Sequence, residues 1–105
     1  MCVYKFEEIV EKVRPIAEQY KINSLSLFGS YARGDATEKS DIDLIVGEDN
    51  LKGLDFFGFY EDLREVLQKK VDLITEDQIN QNRTDPLHKR FIEEVELDRK
   101  VIYNK

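Results

Sequence analysis

Cysteine is nearly missing from this sequence. Cys2 is the only one in 105 residues, which excludes an internal disulfide and a thiolate metal cluster and fits a reducing compartment. Long apolar runs are missing too. None approaches the roughly 20 residues needed to cross a bilayer. The opening stretch, MCVYKFEEIV, lacks the continuous apolar core of a secretory signal. The expectation is a cytoplasmic protein with no membrane contact. Positive charge is in short supply: 16 Lys and Arg against 22 Asp and Glu leave a net charge of −6. Gripping nucleic acid by its phosphates needs a positive surface, so direct nucleic-acid binding is not expected. The basic pairs Lys69-Lys70 and Lys89-Arg90 read as solvated surface. There is no internal repeat and no low-complexity linker, and the length suits one domain, residues 1–105, with a modest core.

What is present alternates between helix and strand periods. Phe6, Ile9, Val10, Val13, Ile16, Ala17 and Tyr20 mark one face of a helix, which Pro15 is expected to kink or split at Arg14. Ser24–Phe28 and Asp41–Val46 read as strands, with a polar turn at Gly47–Gly53. Phe56, Phe59, Tyr60, Leu63, Val66 and Leu67 mark a second helix over Leu54–Lys70, weakened by Gly58. Val71–Thr75 reads as a third strand. Thr75 with Gln78 resembles a capping box before a short helix. Asp85-Pro86 reads as the start of a last helix carrying Leu87, Phe91, Ile92 and Val95, and Lys100–Tyr103 as a final edge strand. The order predicts an α/β (α+β) fold in which helices pack on a small mixed sheet.

Two features do not fit a plain core. Asp41 and Asp43 interrupt an apolar run, where charge is expensive. On a strand, residues i and i+2 share a face, so the two carboxylates project together while Ile42, Leu44 and Val46 face the other way. Side by side they repel, and a cation between them would relieve the repulsion. Hard oxygen ligands suit Mg²⁺. If the third strand neighbours the second, Asp72 joins the pair. Three carboxylates can hold two metal ions about 3.5–4 Å apart, the arrangement used for in-line displacement at phosphorus. The second feature is Gly29-Ser30, directly after a strand and opening a short helix through Arg33. Unpaired N–H groups there, with the Ser30 hydroxyl, can face a phosphate, and Gly29 lets it approach closely.

LFGSYARGDATEKSDIDLIV, from Leu27 to Val46, resembles the signature of the DNA polymerase β-type nucleotidyltransferases. More closely it resembles the MNT group of minimal nucleotidyltransferases, often paired with HEPN-domain toxins. Four fixed positions at this spacing arise by chance in on the order of one in a thousand chains of this length. The resemblance implies the nucleotidyltransferase fold and Mg²⁺-dependent transfer of AMP from ATP to a hydroxyl of a partner protein, a HEPN-type toxin. Gly29 and Ser30 match the phosphate-binding pair, and Asp41, Asp43 and Asp72 match the three carboxylates that bind two Mg²⁺ ions. The departure is in size, because larger relatives carry a second domain that helps bind the acceptor.

Plainer roles stand beside these. Arg33 has two available partners, nucleotide phosphates or Asp35. Tyr31 reads as packing, His88 as surface, and the Phe56–Phe59–Tyr60 cluster as core. A catalytically silent antitoxin that acts by binding, and a small-molecule (antibiotic-type) nucleotidyltransferase, are the alternative functions. The acceptor, the nucleotide preference, the number of AMP units and any oligomer stay open.

Overall fold

The computed structural model describes residues 3–47 and 53–104. Its elements run α1 (Phe6–Tyr20), β1 (Ser24–Phe28), α2 (Gly29–Arg33), β2 (Ile42–Gly47), α3 (Leu54–Leu67), β3 (Val71–Thr75), α4 (Glu76–Asn82), α5 (Lys89–Asp98) and β4 (Lys100–Asn104). Cys2 and positions 48–52 of the expected polar turn lie outside the described residues. The strands form one mixed sheet in the order β3-β2-β1-β4. β1 pairs antiparallel with β2 and β4, and β2 pairs parallel with β3. A parallel pair requires a crossover, and α3 supplies it. This is the small mixed sheet packed against helices that the sequence predicts, with β4 at an edge.

Strand alternation divides the core in two. On one face Leu25, Leu27, Ile42, Leu44 and Val46 pack with Ile9, Val13 and Ala17 of α1 and Phe59, Leu63 and Leu67 of α3. Phe56 and Tyr60 are partly buried against this cluster, as their spacing suggests. On the other face Phe28 and Ile45 meet Ile79 of α4 and Ile92 and Val95 of α5. Asp43 belongs to this second face, two residues before Ile45. Gly58 has a packing reason: a Cβ there would stand 3.0 Å from the Tyr20 hydroxyl, which donates to Asp62 Oδ2 at 2.7 Å. The Thr75 capping box is present, with Gln78 N donating to Thr75 Oγ1 at 3.0 Å and Thr75 N to Gln78 Oε1 at 2.9 Å.

Several expected boundaries are corrected. The helix expected over Leu54–Lys70 ends at Leu67, where Gln68 turns left-handed at φ +53°, and the last strand runs on to Asn104. α1 runs unbroken through Pro15. Pro15 and Glu11, whose carbonyl the missing N–H would have met, are both exposed, so water can reach the freed acceptor. The last helix begins at Lys89 rather than at Asp85-Pro86. Asp85 Oδ1 instead accepts the Leu87 N–H at 2.9 Å, and His88 N donates to the Asp85 carbonyl at 3.0 Å, a local turn that competes with helix. Leu87, expected within that helix, precedes it and is exposed. β2 starts at Ile42, which leaves Asp41 immediately before it.

Candidate active site

The site is built where β1 hands over to α2. Gly29 has φ +75°, a left-handed conformation that side chains rarely adopt. Space imposes a second requirement, because a Cβ on Gly29 would fall 2.3 Å from Asp43 Oδ2. The glycine therefore lets the Asp43 carboxylate lie against the first turn of α2. Ser30 follows at the start of that helix. The two halves of the motif, ten residues apart in the chain, are in direct contact.

Strand register gathers the carboxylates. Asp43 is opposite Phe28 on β1 and opposite Asp72 on β3. Asp72 is exposed, whereas Asp41 and Asp43 are half-buried. Burial, then the charges of Asp72 and Asp41, push the Asp43 carboxyl up to about 6, while nearby Arg33 pulls the other way. The charges of Asp72 and of Asp41 each act on Asp43 more strongly than that of Arg33. Among the described residues, no three acidic, histidine or cysteine side chains stand close enough to hold a metal as they are arranged. The ladder fixes where Asp43 and Asp72 lie, with Asp41 just ahead of the strand, and carboxylate rotation sets how closely the oxygens meet. The donor set is all oxygen, which suits a hard divalent cation such as Mg²⁺.

A cleft of about 290 Å³ opens over Gly29, Ser30, Asp43 and Asp72, and Asp41 is not among the residues that line it. Phe28, Gly29, Ser30, Asp43 and Asp72 form its floor, and Phe91, Glu94, Val95 and Asp98 of α5 form a wall. Arg33 lies between them. Its Nη1 donates to Asp98 Oδ2 at 2.7 Å and its Nε to Asp35 Oδ2 at 3.3 Å. The hydrogen bond to Asp98, then that to Asp35, raises the guanidinium pKa. Asp35, one of the two alternative partners the sequence offers Arg33, is paired with it, but the shorter contact is to Asp98, which the sequence did not point to. Nor did it place α5 in the site. Phe91, Glu94 or Val95, and Asp98 fall three, four and seven residues apart, the spacing of one helical face. The apolar spacing counts Phe91 with Ile92 and Val95 on this helix, yet those two are buried and Phe91 is 46% exposed in the cleft. Tyr31 is buried as packing, and its hydroxyl finds no hydrogen-bond partner among the described residues. His88 is at the surface against Asp85.

Comparison with known proteins bears on the family and the fold. A model of the nucleotidyltransferase domain matches residues 6–100. A Methanocaldococcus jannaschii protein named "putative protein adenylyltransferase" is 42% identical over 94 residues, spanning 86% of this chain and 90% of that protein. A solved structure of a "putative minimal nucleotidyltransferase" superposes with a TM-score of 0.69 at 26% identity, over 95% of this chain and 98% of the other. A chain from a Shewanella oneidensis structure, tri-AMPylated HEPN toxin in complex with MNT antitoxin, shares the fold with a TM-score of 0.61 at 20% identity, over 94% of this chain and 72% of that one. With the family model spanning nearly all of the sequence and the strand register bringing the motif together, the chain belongs to the nucleotidyltransferase domain family.

Proposed function

We propose that this chain, as one minimal catalytic domain over residues 1–105, transfers AMP from ATP to a hydroxyl of a partner protein. The partner is a HEPN-type toxin, and the chain acts in the cytoplasm as its antitoxin. One observation carries the reading: the register that aligns Asp72, Asp43 and Phe28 across three strands, with Gly29 against Asp43 and Ser30 lining the same cleft. The adenylyltransferase name of the 42%-identical relative supports AMP as the transferred group. The tri-AMPylated HEPN toxin in the structure that shares this fold supports the partner.

In this reading the first turn of α2 and the Ser30 hydroxyl face the β- and γ-phosphates. Arg33, at the rim, adds a charge-assisted contact to them. Asp41, Asp43 and Asp72 would hold two Mg²⁺ ions, which when bound neutralise phosphate charge and lower the pKa of the attacking hydroxyl. Asp72, the exposed carboxylate, lies on the side where an acceptor arrives and takes its proton. The acceptor oxygen bonds to the α-phosphorus as the bond from that phosphorus to the bridging oxygen breaks, and pyrophosphate leaves. The cleft is open, so the acceptor pocket is completed by the partner, much as binding assembles a site in induced fit.

The test is transfer from ATP labelled at either end, with the protein encoded by the neighbouring gene as acceptor. Label from the α-phosphate passes to the acceptor and label from the γ-phosphate does not. Transfer of the γ-label, or of neither, overturns nucleotidyl transfer to this partner.

A further inference from the structure

Of the residues lining the cleft, one has no part in the chemistry above and is built in a way that packing alone does not explain. Phe91 is a large aromatic left 46% exposed on α5. It lines the same cleft as Gly29, Ser30 and Asp43. Its ring meets Phe28 edge to face, with centroids 6.2 Å apart and planes at 85°. That contact fixes the ring without covering both of its faces. Phe28 directly precedes Gly29 and is the register partner of Asp43. A single aromatic contact therefore separates Phe91 from the phosphate-facing turn.

We propose that Phe91 is the platform on which the nucleobase of the bound nucleotide stacks, a role that rests on the nucleotidyl-transfer reading and deepens it. The charges along the cleft favour this orientation. Glu94, on the same α5 wall as Phe91, is acidic and repels phosphates, whereas the charge of Asp98 is met by Arg33 at 2.7 Å. The opposite end offers the backbone and hydroxyl of Gly29 and Ser30. A triphosphate is directed to α2 and the neutral base to α5. Glu94 can accept hydrogen bonds from ribose hydroxyls or an exocyclic amine, and cannot serve phosphate in that way. Stacking on an aromatic face tolerates any base, so Phe91 supplies affinity more than choice among nucleotides.

The chain has no tryptophan, so Phe91→Trp introduces a single fluorophore into the cleft. Its emission is quenched on adding MgATP and not on adding magnesium tripolyphosphate, which fills the phosphate end without a base. By calorimetry Phe91→Leu, which keeps an apolar contact to Phe28, weakens MgATP binding about tenfold to a hundredfold. The same variant leaves tripolyphosphate binding unchanged, and Phe91→Tyr retains wild-type affinity for both. Ser30→Ala weakens both ligands. Unchanged MgATP affinity in Phe91→Leu, or equal quenching of Phe91→Trp by the two ligands, overturns the stacking role while leaving nucleotide binding standing. Failure of both ligands to bind the wild type overturns the two together.

Discussion

Asp43 concentrates opposing demands in one side chain. Its carboxyl is raised to about 6 by burial and by Asp72 and Asp41, whereas an unfolded chain holds aspartate near about 3.9. The folded protein therefore holds this proton more tightly than the unfolded one. The resulting stabilisation is fully present below about pH 4 and is lost as pH rises through about 6. Asparagine keeps the shape and never carries the charge. With EDTA present, Asp43→Asn is more stable than wild type above the folded pKa, by on the order of 1–2 kcal/mol after allowing for solvent screening. The difference closes below about pH 4 in urea unfolding experiments across the range. Identical stability at about pH 8 would contradict a strained carboxylate cluster. The same variant loses nucleotidyl transfer. Asp41, Asp43, Asp72, Gly29 and Ser30 could be picked from the sequence because strand period and local turn chemistry place them. Asp98 and Phe91 could not. Arg33 and Asp98 are 65 positions apart, and only the packing of α5 over Phe28 and Ile45 brings them together.

Helices and strands followed their periods closely, and their ends did not. The start of α5 shifts because the Asp85 carboxylate captures the Leu87 N–H locally, a choice that hydrophobic spacing does not register. α1 shows the reverse, with Pro15 carried inside a continuous helix. An interior proline costs up to about 3 kcal/mol through its missing N–H and its ring. The exposed placement of Pro15 and Glu11 reduces that cost without removing it. Pro15→Ala restores the donor and gives a better helix former. It should raise stability by about 1–3 kcal/mol, read by urea unfolding, with MgATP affinity unchanged because α1 packs on the face of the sheet opposite the cleft. Loss of stability in Pro15→Ala would mean that α1 depends on the proline's restriction of the unfolded chain more than on a complete hydrogen-bond ladder.

Across the whole molecule, the sheet order turns a sequence motif into a site. Placing β3 beside β2 in parallel aligns Asp72 with Asp43, and packing α5 on the second face gives the cleft its wall. The strand signals located β2 and β3, and left their adjacency as a condition that the sheet order meets. The packing of α5 follows from the two-sided burial of β2, since Ile45 needs a cover as much as Leu44 does. The central claim is that this arrangement modifies a partner protein instead of merely binding it. Intact-mass analysis of the neighbouring gene's product, after co-expression with this chain, tests it most directly. The account predicts mass increments of one or more AMP units with the wild type and none with the Asp41→Asn, Asp43→Asn double variant, whose partner stays active. An unmodified partner, neutralised equally well by the wild type and by the double variant, would contradict it.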